Sequence, residues 1–458
     1  MARHEETRTG GRPATTGVIA GRYALSVGNP ETPLPQGWRW TPIAEVARLE
    51  TGHTPSRRHS EYWDGGVPWI GIKDATDNHG RTIHDTYQHA SPLGIENSSA
   101  RLLPPNTVCL SRTASVGYVV VMGRSMATSQ DFVNWVCSDA LDYRYLKYVL
   151  LAERDTFRMF ASGTTHQTIY FPEVKAFHIA LPPPREQREI ADVLGGLDDK
   201  IELNRRMSET LESMARALFK SWFVDFDPVR AKEKGRPTAL SNGVSGLFPC
   251  SFEKSELGPI PGGWNVGSLL SEADLLSGGT PKTDRPDYWG GGIPWASAKD
   301  VSQASDSFLL ETERTITEAG LSTSATQIIP SSATVVVARG ATTGRMVLLG
   351  REMAMNQTCY ALVSKTGHPF TLNCALRHRI GDLVHAAHGS VFDTITTSTF
   401  RNTPFLLPPR PLLDSFEGAV APLFLRALSS VEESRTLSAL RDALLPRLIS
   451  GAVRVRDR

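Results

Sequence analysis

Along residues 185–223 the seam positions recur every seven residues. Ile190, Leu197, Asn204, Leu211 and Leu218 form one row, and Leu194, Ile201, Ser208, Ala215 and Trp222 a second. Two such rows predict a coiled-coil seam on a single long helix. At 1.5 Å per residue that helix would extend roughly 58 Å, longer than a typical globular helix, so it must lie between domains or along a partner. Prolines 182–184 set its start, and Asp227 and Pro228 mark its expected stop. A second apolar stripe runs through Leu413, Phe416, Val420, Leu423, Ala427, Leu437, Leu440 and Leu444, with a break expected near Pro446. The two stripes can pair antiparallel. Asn204 either fixes the register of that seam at some cost in stability or faces solvent at its edge.

Elsewhere the pattern is shorter. Apolar, β-branched runs at 107–111, 118–121 and 334–338 read as strands separated by Gly and Pro clusters, and 142–158 and 371–388 have helical spacing. The fold class is therefore α/β in the mixed α+β sense.

The chain also contains itself twice, which dictates its architecture. Gly37, Trp38, Gly52, Thr54, Pro55, Tyr62, Trp63, Gly65, Gly66, Pro68, Trp69, Lys73 and Asp74 recur 226 residues later, from Gly263 to Asp300, without a gap. The stretch 111–117 faces 338–344 and Gln130 faces Gln357 after a one-residue insertion; the register returns to 226 by Gly163 and Gly389. The remainder, including 74–102 against 300–328, differs almost completely. This pattern is one scaffold carrying two different surfaces. The boundaries that follow are an N-terminal extension 1–36, a first repeat 37–183, a central helix 184–227, a polar linker 228–258, a second repeat 259–409, and a C-terminal helix and tail 410–458.

Composition narrows the class. The chain is 40% apolar and 21% charged, ordinary for a folded globular protein. It has no run long enough to span a bilayer and no apolar core near its start, and is expected in the cytoplasm. Five scattered cysteines form neither a disulfide framework nor a zinc site. His385 and His388 lack a third ligand, so no metal is expected. Asp198 and Asp199 are read as a solvated helix face. The net charge of +1 argues against DNA binding by bulk charge alone, so basic groups would have to cluster at the contact surface. The FxGxG, NPPF and DPPY signatures of DNA methyltransferases are absent. So are a GxxxxGK[ST] phosphate loop and a nuclease core. No catalytic residue is assigned.

The segments 52–76, 181–229 and 437–451 carry a family likeness over nearly the whole chain: it resembles the DNA specificity subunits of type I restriction-modification systems. The resemblance implies two target recognition domains separated by two long helices that pair as an antiparallel coiled coil. Each domain would read half of a split, asymmetric site on double-stranded DNA. It further implies two modification (methylase) subunits gripping the helices and restriction (motor-nuclease) subunits. The helix residues assigned to subunit contact are Ile190, Leu194, Leu197, Ile201, Asn204, Leu211, Leu218, Trp222, Val420, Leu423, Leu437 and Leu444. S-adenosylmethionine, ATP and Mg would belong to the partners, with no cofactor bound by this chain and no membrane involved. The alternative is a non-catalytic scaffold assembling methylase subunits with degenerate DNA specificity.

Sequence readout needs Arg or Lys toward guanine, Asn or Gln toward adenine, and small hydroxyls, all presented from loops. In the first repeat the candidates are Ser56, Arg57, Arg58, Lys73, Arg81, Arg112, Ser115, Gln130, Thr164, Thr165, His166 and Gln167. In the second they are Lys282, Lys299, Arg339, Thr342, Thr343, Arg345, Asn356, Gln357, Ser390 and Asp393. Lys73 and Lys299, being shared, suit a phosphate or structural role better than sequence choice.

Overall fold

The computed structural model describes residues 17–161, 167–388 and 394–455. Thr164, Thr165, His166, Ser390 and Asp393 lie outside them. The chain forms two compact units: residues 1–199 with 437–458, and residues 200–436.

In the first unit the run Val119–Met122 is buried at every position because its sheet is covered on both sides. Successive side chains point to opposite faces. Val108, Leu110, Val119, Val121, Val133 and Trp135 join the main core with the helix Tyr143–Ala152, while Cys109, Val120, Met122 and Phe132 fill a second cluster on the other face. The strand order of this five-stranded sheet is Ala47–Thr51, Phe132–Cys137, Val108–Ser111, Val119–Met122, Thr82–Ile83. A three-stranded sheet sets Trp63–Ile70 between Ala127–Thr128 and Gln88–Ala90.

The second unit repeats this element by element. Its five-stranded sheet runs Ala273–Ser277, Cys359–Ser364, Thr334–Val337, Met346–Leu349, Phe308–Leu309, and its three-stranded sheet sets Trp289–Ala296 between Arg314–Ile316 and Ala354–Met355. Segments 74–102 and 300–328, nearly unrelated in sequence, fold alike because a few polar anchors coincide. Thr86 Oγ1 accepts from Trp69 N at 3.0 Å as Thr312 Oγ1 accepts from Trp295 N at 3.1 Å. Asp74 and Asp300 each accept at 2.8 Å from the backbone N–H of Tyr87 and Glu313.

Two helices of 40 residues, Pro184–Phe223 and Arg410–Ile449, bear the predicted stripes. In the second unit Asn204 Nδ2 donates to Glu433 Oε2 at 2.9 Å, Ser208 Oγ to the Ala427 carbonyl at 3.4 Å, and Trp222 meets Phe416, so the two helices run antiparallel there. In the first unit Ile190 and Leu194 pack in one cluster with Leu448 and Ile449, and Arg441 bonds Asp198 at 2.9 Å. Asn204 is fully buried, which decides for the seam.

Several expectations need correction. Ile190, Leu194, Asn204, Trp222 and Val420 are buried within this chain, so they hold its own helices together instead of facing other subunits; Leu197, Ile201, Leu211, Leu218, Leu423, Leu437 and Leu444 are half-buried, and Leu440 of the second stripe is exposed. Pro446 does not end the second helix, because it strands only one carbonyl while burial of Leu448 and Ile449 just beyond favours continuation. The first helix stops at Phe223, and Pro228 opens a separate short helix, Asp227–Glu233. The expected linker 228–258 is folded, with Val229 and Phe248 in the core and a hairpin pairing Phe252–Ser255 with Gly258–Pro261. Asp198 is not solvated: burial alone would raise its pKa, but Lys147, Tyr148 and Arg441 outweigh that and hold it low. Residues 19–27, placed outside the repeat, supply strands Ile19–Ala20 and Leu25–Val27 to a sheet with Phe177–Leu181 and Arg39–Pro42.

His79 makes the first unit acid-sensitive. Its Nδ1 accepts the Val119 N–H at 3.1 Å, and burial, helped by Arg154 and Arg441, pushes its pKa from 6.5 down to about 4. Below 6.5 the unfolded chain therefore takes up the proton more readily than the folded one. Stability of this unit should be intact above 6.5 and fall as the pH drops toward 4. Urea midpoints across that range should flatten in His79→Asn; a variant profile as steep as the parent's would refute the assignment.

Candidate nucleic-acid interface

In each unit the loop entering the long middle strand is pinned by backbone contact. A Cβ at Gly52 would lie 1.9 Å from the Ser129 carbonyl oxygen, and one at Gly278 would lie 2.3 Å from those of Met355 and Asn356. Only glycine permits that approach. It brings Thr54 Oγ1 onto Gln130 Oε1, and Thr280 Oγ1 onto Gln357 Oε1. Gly52→Ala should therefore displace the Gln130 loop and cost roughly 1–3 kcal/mol, read as a lower urea midpoint together with weaker DNA binding. An unchanged midpoint would mean that the loops are not locked.

The same loops frame two tryptophans. Trp63 and Trp69 meet edge to face at 5.1 Å and 87°, Trp289 and Trp295 at 5.2 Å and 88°. Their indole N–H groups donate to loop carbonyls: Trp63 to Ser56 at 3.3 Å, Trp69 to His53 at 3.1 Å, Trp289 to Lys282 at 3.1 Å and Trp295 to Gly279 at 3.0 Å.

Around this frame the first unit gathers most of its candidates. Arg57 lies over Trp63 with Cζ 3.6 Å from the ring centroid and donates to Gln88 Oε1 at 2.7 Å. Ser56 and Arg58 are exposed beside it. Arg112 donates to the Gln130 carbonyl at 3.1 Å and lies over Phe171 at 4.7 Å; burial lowers its pKa, opposed by Asp131. The Gln130 carbonyl and the Phe171 ring thus hold this guanidinium to the loop, while its Nε is buried without a partner among the described residues. Ser115 contributes its carbonyl to Ser111 Oγ. Gln167 is exposed next to Thr168, which bridges Thr113. Lys73 sits over the Tyr87 ring at 4.1 Å. Arg81 is exposed.

In the second unit, several candidates have local duties. Lys299 forms an exposed ion pair with Glu313 at 2.6 Å. Asn356 Oδ1 accepts from Thr358 N at 3.1 Å and Oγ1 at 2.7 Å, closing a turn. Thr342 Oγ1 accepts from Ser302 at 2.7 Å, and Thr343 Oγ1 donates to the Gly340 carbonyl at 2.7 Å. Lys282, Arg339, Arg345 and Gln357 are exposed. The residue that sequence reasoning missed is Arg314, whose Cζ lies 3.4 Å from the Trp289 centroid. The 226-residue offset places it opposite Gln88, within a stretch otherwise without visible similarity.

Comparison with known proteins supports this division into repeated heads. The family description "Type I restriction modification DNA specificity domain" matches residues 35–213 and 261–411, well over half of the chain. The chain belongs to this family. The MjaIX specificity subunit of a type I restriction enzyme from Methanocaldococcus jannaschii is 26% identical over 430 residues, covering 93% of this chain and 95% of that protein. The HindI specificity subunit from Haemophilus influenzae is 27% identical over 362 residues, 67% of this chain and 76% of its own length. The crystal structure of the type I restriction-modification S subunit from M. genitalium aligns with a TM-score of 0.55 at 15% identity, covering 92% of this chain and 98% of that one; this likeness concerns the fold. As a type I specificity subunit, the chain is a DNA-binding component of a restriction-modification system. Among the described residues no helix is long and apolar enough to cross a membrane.

Proposed function

We propose that this chain is a non-catalytic DNA reader whose two units each recognise one half of a bipartite, asymmetric duplex target. By holding that target, the chain places two methylase subunits on it, and motor-nuclease subunits when present. S-adenosylmethionine, ATP and Mg serve the partners, and the assembly works in the cytoplasm. The observation that carries this reading is the repetition of the five- and three-stranded sheets, strand by strand, under loops whose exposed polar side chains differ: Arg57, Arg58 and Gln88 in one, Thr283, Asp284 and Arg314 in the other. Identical loops would favour a symmetric target; different ones favour an asymmetric one. With the seam occupied internally, a methylase would use the outer helix faces, where Leu203 and Met214 are 58% and 49% exposed about three turns apart.

The test is co-expression with the cognate methylase subunit and genome-wide mapping of modified adenines by single-molecule sequencing. A split motif with one methylated adenine per half is expected. Exchanging residues 37–181 for those of a relative should change one half of that motif only. A stable, active methylase complex that modifies no defined motif would refute the reading.

A further inference from the structure

Resting on that reading, we infer that the guanidinium stacked on Trp63 in the first unit and on Trp289 in the second is one and the same DNA-backbone contact, supplied from different positions of the repeat. Arg57 precedes its tryptophan, and its counterpart at the 226-residue offset is Thr283. Arg314 follows its tryptophan, and its counterpart is Gln88. The sequence thus carries Arg and Gln at the two positions in one unit and Thr and Arg in the other. In space the outcome is the same, since the arginine Cζ lies 3.6 Å and 3.4 Å from the centroids of equivalent rings held in the same edge-to-face pairs.

The charge is available. Arg57 bonds the neutral amide of Gln88 instead of a carboxylate. Both arginines are exposed. The lysine shared by both units behaves differently: Lys73 lies over Tyr87, whereas Lys299 pairs with Glu313, so the two are not placed alike. Stacking on an indole fixes the guanidinium plane and leaves its N–H edge to donate, and this arrangement suits a bidentate phosphate contact.

The chemistry of the partner follows from what the two units share. Their reading loops differ, so a group that both place identically cannot distinguish one half-site from the other. The phosphodiester backbone is the part of duplex DNA common to both. Arg57 stands on the loop that the Thr54–Gln130 contact holds, and Arg314 opens the strand Arg314–Ile316 paired with Trp289–Ala296, so each cation rises from hydrogen-bonded backbone.

The experiment uses the full chain in complex with its methylase subunits and measures affinity for a target duplex and a random duplex between 50 and 200 mM salt. Arg57→Gln and Arg314→Gln should each weaken binding about tenfold on both duplexes. Each should also make the slope of log affinity against log salt shallower by about one. The rearranged pairs R57T with Q88R, and T283R with R314Q, move each cation to the position used by the other unit, and should recover both affinity and slope. Folded pairs that bind like the single variants would overturn the assignment. So would single variants with unchanged affinity and slope, or a loss confined to one base sequence. A parent complex that binds neither duplex would instead overturn the DNA-reading function itself, and this contact with it.

Discussion

Glu153→Ala is expected to destabilise the first unit by about 3–5 kcal/mol, because removing a buried charged partner strands every group it satisfied. The Glu153 side chain is fully buried. Oε1 accepts the backbone N–H groups of Tyr23 at 2.6 Å, Ala24 at 2.8 Å and Leu25 at 3.4 Å, while Oε2 accepts that of Arg22 at 2.8 Å and the Thr156 hydroxyl at 2.5 Å. One carboxyl thus fixes the turn that feeds Leu25–Val27 into its sheet. Without it, four adjacent N–H groups would need water inside a core lined by Ala24, Leu25 and Val27. Urea unfolding should show the loss, and proteolysis should nick the chain between residues 17 and 28. A loss below about 1 kcal/mol would mean that this segment is held by strand pairing alone, since one ordinary hydrogen bond contributes about that much.

Phe416→Ala should cost the second unit a similar amount, about 3–5 kcal/mol, by a different mechanism, since it opens a cavity in a packed aromatic cluster. Phe416 is fully buried and meets Phe223 at 4.9 Å, Trp222 at 5.4 Å and Phe219 at 5.8 Å, all edge-on. These rings lock the C-terminal part of the first long helix to the N-terminal part of the second within this unit. A partly open pocket of about 200 Å³ lies beside these rings, lined in part by Phe219, Phe223, His378 and Arg379. Denaturant melts followed by circular dichroism should shift accordingly, and Phe416→Leu should recover more than half of the loss. Equal losses in both variants would indicate that ring geometry matters more than volume.

The long helices were legible because their information is local and periodic: a seven-residue rhythm is visible within one segment, and burial of Leu194, Ala215 and Trp222 follows from it. The repeat was legible where turns and close approaches require particular residues, as Gly52 and Gly278 do. It was not legible in 74–102 against 300–328, where the shared fold rests on scattered anchors such as Thr86 and Thr312 amid unrelated neighbours. Of the candidate DNA contacts, Arg57 and Gln130 were chosen by residue type, and the structure links their loops through Thr54. Type alone overlooked Arg314, and it did not show that Glu313 pairs with Lys299 or that the Gln130 carbonyl and the Phe171 ring hold Arg112 to its loop.

By itself, then, the sequence determined the duplicated mixed α/β scaffold, the two long helices with their seam, and the family to which they belong. The scaffold and the helices are written in spacing, which is read without knowing what lies across the fold, and the family in the likeness of whole segments. The tertiary structure alone decided which arginine covers which tryptophan, how residues 19–27 join the sheet of Phe177–Leu181 and Arg39–Pro42, and that 228–258 packs into a core. Each of these depends on partners far apart in the chain, as Glu153 and Tyr23 are, and neither partner carries a local mark of the other.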